Sequence, residues 1–200
     1  QVDEIFISRR ITGALNFTQD MILKDISDLR ISTPLVYSGG IKSTNDVKVC
    51  LNSGIERVAV NSILFDKNKL NEIIKFIGSQ GVIAVIPFQS TNNDYYAFNT
   101  CTNKSNLKVS NLINQLDKHI EILLIDMNSD GTNCGFNWDI FMSLPRRNYL
   151  VQGSAFSDIK DSNFYHRKNI KGISIENILL WKETVVHKFK SDNDIFRDIE

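Results

Sequence analysis

Gly39-Gly40 and Asn61-Ser62 are the residues of this 200-residue chain whose types and spacing most invite chemistry. Each pair follows a β-branched apolar run, Pro34-Leu-Val-Tyr-Ser38 and Arg57-Val-Ala-Val60, and each precedes a segment of helical length. A Ser-Gly-Gly turn entering a helix presents backbone N–H groups with no Cβ in the way, in front of the positive end of the helix dipole. Such a turn suits a phosphate. An ordinary tight turn between strand and helix also uses glycine, and that reading stays open. Amide and hydroxyl donors at two successive strand ends favour the phosphate.

Other candidates fall away. His119, His166 and His187 are far apart and share no helical spacing, so no metal site is expected. Cys50, Cys101 and Cys134 are widely spaced and odd in number, which argues against a disulfide framework and for a reducing, cytoplasmic setting. Cys134 lacks a basic neighbour and reads as a small filler rather than a nucleophile. The pair Arg146-Arg147 could hold phosphate, but it precedes a strand and is expected at the solvated end opposite the glycine turns; the basic stretch 160–171 could help hold an anionic ligand and is expected to be a surface loop. With 42% apolar and 23% charged residues and zero formal net charge, the chain shows neither a nucleic-acid footprint nor a membrane-surface patch. No apolar run is long enough to span a bilayer. No cofactor is implied.

The elements that must position these residues alternate. Strand-like runs fall at Glu4–Ser8, Leu35–Ser38, Arg57–Asn61, Val82–Phe88, Glu121–Met127 and Tyr149–Gln152, with a weak one at Gly172–Ile175. Helical patterns fall at Thr18–Leu29, Thr44–Asn52, Lys67–Gly78, Ser105–Lys118, Asn137–Ser143 and Glu176–Lys190, with a short helix near Asp158–Asn163. Continuously apolar strands such as Val82-Ile-Ala-Val-Ile86 imply burial on both faces, hence a parallel sheet. Regular alternation means a doubly wound sheet or a barrel, in one domain over residues 1–200. Seven βα units are visible, one short of a closed (β/α)8 barrel. The polar stretch 90–105 is long for a connection, and Tyr95-Tyr-Ala-Phe98 within it suggests an inserted hairpin on the strand-end face.

Four strings carry a family resemblance: Val2-Asp-Glu-Ile-Phe-Ile7, Ser38-Gly-Gly-Ile-Lys-Ser-Thr-Asn-Asp46, Gly54-Ile-Glu-Arg-Val-Ala-Val-Asn-Ser62 and Gly78-Ser-Gln-Gly-Val-Ile-Ala-Val-Ile86. A fifth, Glu121-Ile-Leu-Leu-Ile-Asp-Met-Asn-Ser-Asp-Gly-Thr-Asn-Cys-Gly-Phe136, is unusual and specific. On these residues the chain resembles the cyclase subunit of imidazole glycerol phosphate synthase; after Pro145 the match fades to Val151-Gln-Gly-Ser154. The resemblance implies a TIM-type (β/α)8 barrel whose first βα unit would lie before Gln1. It implies a ligand with a phosphate at each end, and ammonia delivered by a glutaminase subunit docked beneath the barrel.

Residue by residue, the resemblance puts one phosphate site at Gly39, Gly40, Asn61 and Ser62 and the second at Gly153 and Ser154, where the family carries two glycines and this chain one. The family's acid/base pair is broken: one aspartate belongs to the absent first strand, and Pro87 stands where the other is expected. Proline has no proton to exchange, and a general acid or base is worth roughly 10²–10⁴ in rate. Ile7-Ser8-Arg9 lacks a further family carboxylate. Asp130 keeps a ligand-contacting one, although it could equally cap the next segment, and Asp126 lies just before it. Glu4, Arg57 and Glu121 match a ring of alternating charges that gates the ammonia passage, and Asp3 and Glu56 match acidic positions facing the glutaminase. Charges at strand starts can also simply meet solvent or one another. Three functions follow as expectations: a diverged, ammonia-receiving barrel acting on a phosphorylated or sugar substrate; an authentic lyase of histidine biosynthesis, with Asp126 or Asp130 as the catalytic carboxylate covering for Pro87; and a non-catalytic barrel subunit.

Overall fold

The computed structural model describes residues 3–9, 19–26, 32–92, 94–132, 135–152 and 169–174. Their order is β1 (Ile5–Ser8), α1 (Gln19–Ile26), β2 (Leu35–Ser38), α2 (Thr44–Asn52), β3 (Arg57–Val60), α3 (Lys67–Ile77), β4 (Val82–Thr91), β5 (Asp94–Asn99), β6 (Lys104–Lys108), α4 (Val109–Gln115), β7 (Glu121–Asp126), β8 (Tyr149–Gln152) and β9 (Ile170–Ser174), with 3-10 helices at Ser62–Phe65, Ser79–Gly81 and Trp138–Met142.

Seven strands pair in parallel in the order β1-β2-β3-β4-β7-β8-β9, and β5 and β6 extend β4 as an antiparallel meander. The curled parallel sheet with interleaved helices is a TIM-type (β/α)8 architecture, of which the described residues supply seven strands. The expected hairpin is present as β5 and β6. The expected helices at Asp158–Asn163 and Glu176–Lys190 lie outside the described residues.

Alternation along each strand sorts its side chains onto two faces. Tyr37, Val58, Val60, Ala84, Ile86, Phe88, Ile122, Leu124 and Val151 join the large core under the helices. Val36, Ala59, Ile83, Val85 and Leu123, with Phe6, Ile125 and Leu150, form a second cluster on the inner face. Local signals agree with the boundaries. Ser43 caps α2 by accepting from the Asp46 amide at 3.3 Å, while the Asp46 carboxylate accepts from the Ser43 hydroxyl at 2.9 Å. Asp66 caps α3 through the Lys69 amide.

Two elements differ from expectation. The helix predicted over Ser105–Lys118 is half strand: β6 takes Lys104–Lys108 and α4 begins only at Val109. The strand predicted to stop at Phe88 runs on to Thr91, straight through Pro87. A proline inside a central parallel strand should cost a ladder bond. Here β3 has already ended, at Val60 opposite Ala84. Val85, two residues before the proline, turns its carbonyl to that vacated side, where the Asn61 side chain meets it at 3.1 Å. The proline nitrogen therefore faces a side with no parallel neighbour left to satisfy.

Candidate functional site

The N-terminal ends of the strands form a charged floor. Arg57 at the start of β3 donates from Nη1 to both carboxylate oxygens of Glu4 at 2.9 and 3.1 Å, and from Nη2 to Glu121 Oε2 at 2.5 Å. Its Nε donates to the Gln80 carbonyl at 2.9 Å. Lys171, on β9, pairs with the other oxygen of Glu121. Cation and anion alternate as Glu4, Arg57, Glu121, Lys171. Burial pushes the Glu121 carboxyl up, but hydrogen bonds from Lys171 and Arg57, and their charges, outweigh it and hold it below the ordinary glutamate value. Burial likewise disfavours the Arg57 cation, and Glu4 and Glu121 more than restore it. The three residues expected to form a ring are in contact. Asp3 and Glu56 are exposed at the same end.

Above the floor the inner face is apolar, lined by Val36, Ala59, Ile83, Val85 and Leu123. Beyond this sleeve lies the rim. Ser38 and Ala59 are paired in register, so Gly39-Gly40 and Asn61-Ser62 leave adjacent strands at the same end. Gly39 has φ +119°, and a Cβ there would stand 2.0 Å from the Arg9 carbonyl oxygen. Backbone packing against β1 thus accounts for that glycine by itself. The Asn61 carboxamide is fully engaged. Its Nδ2 donates to the carbonyls of Val85 and Phe98 at 3.1 and 3.0 Å, and its Oδ1 accepts from the Thr100 amide and hydroxyl at 2.8 and 2.9 Å. Any ligand contact from Asn61 is left to its backbone.

Asp126, at the end of β7, is 2% exposed. One carboxylate oxygen accepts from the Asn128 amide at 3.1 Å and the other from the Asn137 amide at 2.9 Å. Its carbonyl takes the amides of Ser129 and Asp130. This geometry makes Asp126 the organiser of the loop that carries Asp130, which is itself exposed on the rim. Gly153, Ser154 and Cys134 lie outside the described residues.

Arg147 sits at the floor end, as expected for the Arg146-Arg147 pair. Its guanidinium donates to the carbonyls of Ile113, Leu116, Asp117 and Ile120, closing the turn between α4 and β7. Sequence reasoning placed Lys171 in a surface loop over 160–171, because the weak run was set at Gly172–Ile175, whereas β9 begins at Ile170 and carries Lys171. It also missed the structural duty of Asn61. The signal for Lys171 was a base at the start of a strand lying one strand beyond a partner of Glu121.

A barrel with an alternating ionic floor, an apolar sleeve and a rim of loop amides defines the class, and comparison with known proteins gives the family. Residues 11–179 match the histidine biosynthesis protein family, and the chain belongs to it. It is 32% identical over 124 residues to the imidazole glycerol phosphate synthase subunit HisF of Sulfolobus acidocaldarius, covering 60% of this chain and 49% of that one. The corresponding subunit of Campylobacter concisus is 31% identical over 128 residues, again 60% and 49% of the two chains. A phosphoribosyl imidazole-carboxamide isomerase of Buchnera aphidicola is 24% identical over 168 residues, 78% of this chain and 67% of its own. The chain spans about half the length of the HisF subunits it matches. It is a diverged member of the family.

Proposed function

We propose that this barrel holds a phosphorylated small molecule at its rim and receives ammonia from a glutaminase subunit seated beneath its floor. The observation that carries the reading is the Glu4–Arg57–Glu121 row of ion pairs beneath an apolar inner face. A passage opened along that apolar face would disfavour water and ions and admit a small neutral molecule. Asp3 and Glu56 supply acidic contacts around the entrance, and the backbone amides of Gly40 and Ser62 serve the phosphate. The phosphate in the names of the relatives, and the word subunit in two of them, agree with the ligand class and with a partner. Asp130 contacts the ligand from the rim. With Pro87 in the sheet, the original ring-closing chemistry has no general acid or base at that position, so the ammonia is spent on another acceptor.

The test mixes the full-length protein with its candidate glutaminase and follows complex formation and glutamine turnover. A stable complex with stimulated turnover is expected; no complex and no turnover ends the proposal. An authentic histidine-biosynthesis lyase would instead rescue a histidine auxotroph, and Pro87 predicts that it does not.

A further inference from the structure

Asn128 and Asn137 bracket the loop that carries Asp130, and each faces two ways. With its backbone amide each donates to one oxygen of the buried Asp126 carboxylate. With its side-chain oxygen each accepts from the β4–β5 hairpin: Asn128 Oδ1 from the Ser90 amide at 3.0 Å, and Asn137 Oδ1 from the Tyr95 hydroxyl at 3.3 Å. The Ser90 bond stands where the next rung of the β4–β7 ladder would be, since the Phe88 carbonyl on the same side already accepts from the Met127 amide at 3.0 Å. Tyr95 comes from the opposite side of β4, where β5 is paired. Its ring stands edge-on to Phe88, with centroids 5.9 Å apart, and Phe88 stands edge-on to Phe136, the neighbour of Asn137, at 5.7 Å. These ring contacts carry the hydroxyl across β4 to the Asp130 loop.

The other end of β5 is fastened to the turn after β3. Asn61 donates to the Phe98 carbonyl at 3.0 Å and accepts from the Thr100 amide and hydroxyl at 2.8 and 2.9 Å. Antiparallel pairing with β4 over residues 88–91 holds the strand between the two ties. A single strand therefore joins the turn that begins at Ser62 to the loop that carries Asp130.

We infer that β5 is the spacer of the rim: Tyr95 and Asn61 are positioning residues that act through this strand to fix the Asp130 loop relative to the Ser62 turn. That the spacing serves a ligand rests on the reading above; the coupling between the two rim elements does not. Nitrogen-15 backbone NMR of the full-length protein tests the coupling without a ligand, because amide shifts and order parameters report the geometry and order of the native state. Asn61→Ala should displace the Gly131 and Thr132 amide signals and lower their order, although every side-chain bond of Asn61 goes to β4 or to the end of β5. Thr100→Val removes one hydroxyl and should act in the same direction more weakly; it decides the matter if Asn61→Ala does not fold. Tyr95→Phe, which keeps the ring, should displace the Ser62 amide. Loop signals unmoved by the Asn61 and Thr100 substitutions, or a Ser62 signal unmoved by Tyr95→Phe, overturn the spacer.

A second arm titrates inorganic phosphate. In the unsubstituted chain the Gly40 and Ser62 amides should respond, and Gly131 with them. In Tyr95→Phe the Ser62 response should persist while the Gly131 response shrinks. A Gly131 response equal in both proteins, or absent where Ser62 responds, overturns the spacer. If neither Gly40 nor Ser62 responds, the phosphate reading fails, and the ligand-free spectra alone decide on the spacer.

Discussion

Asn61 and Pro87 form a single structural device. Phe88 and Ala97 are register partners, and Phe88 turns its carbonyl the other way, to the Met127 amide. One step down, the residue opposite Phe98 is Pro87, and an N–H there would have supplied the Phe98 carbonyl. Asn61 Nδ2 supplies it instead. Asn61→Ala should therefore cost about 1–3 kcal/mol, the penalty for leaving buried carbonyls without donors, as read by urea unfolding. In a Pro87→Ala background, where the backbone regains a donor, the same substitution should cost less. Equal costs in the two backgrounds refute the coupling. Asn61→Asp should be no milder than Asn61→Ala, because it keeps the acceptor for Thr100 but turns an oxygen toward two carbonyls. Gly39→Ala should cost at least about 1–3 kcal/mol from its positive φ alone, with the overlap on Arg9 added, so a neutral unfolding midpoint would contradict the packing described. Thiol chemistry separates as well. Burial first, and Asp46 second, push the Cys50 thiol up to about 12, so iodoacetamide followed by peptide mapping should modify exposed Cys101 well before Cys50.

At the scale of elements, the ionic floor makes stability depend on pH in a predictable direction. The Glu121 carboxyl is held below its ordinary value in the folded chain. Its contribution is therefore complete above the ordinary glutamate range, roughly 4.3, and is lost as pH falls through the lower folded value. Arg57→Met removes much of that depression, so its unfolding free energy should decline less steeply with acidification than that of the unsubstituted chain. Parallel slopes would mean that the ring does not set the acid limb. Elements whose apolar pattern and caps agree were readable from the residues: β2, α2 and β8 have the expected limits because their flanks carry turn or capping chemistry. The insertion was harder. Residues 104–108 are polar and alternate between exposed and half-buried, a pattern that hides a strand leaning on one neighbour. Lys171 read as the end of a basic surface loop because β9 starts two residues before the expected run and the bulge in its pairing with β8 leaves no mark in composition.

For the molecule as a whole, the parallel sheet was legible from alternation, since strands buried on both faces read as unbroken apolar runs, while the choice of a barrel over a doubly wound sheet came from the family resemblance. The sites were legible unevenly. The resemblance singled out Glu4, Arg57 and Glu121 at the strand starts, and Arg57 pairs with both glutamates there. The rim was legible in place but not in duty, since Gly39 serves a close backbone crossing and the Asn61 side chain serves the meander. No helix among the described residues is long and apolar enough to cross a membrane.

Arg147 carries a consequence for the order of assembly during synthesis. Four carbonyls at the end of α4 and in the following turn have their donor in a residue 27 to 34 positions later in the chain. Two of these carbonyls, Ile113 and Asp117, also take the amides of Leu116 and Ile120, but until the ribosome has released that arginine the turn lacks its side-chain clamp, and the edge of β7 has no β8 to cover it. A nascent chain arrested between residues 121 and 146 should therefore be cut readily by protease near residues 115–120, and one arrested well past β8 should resist.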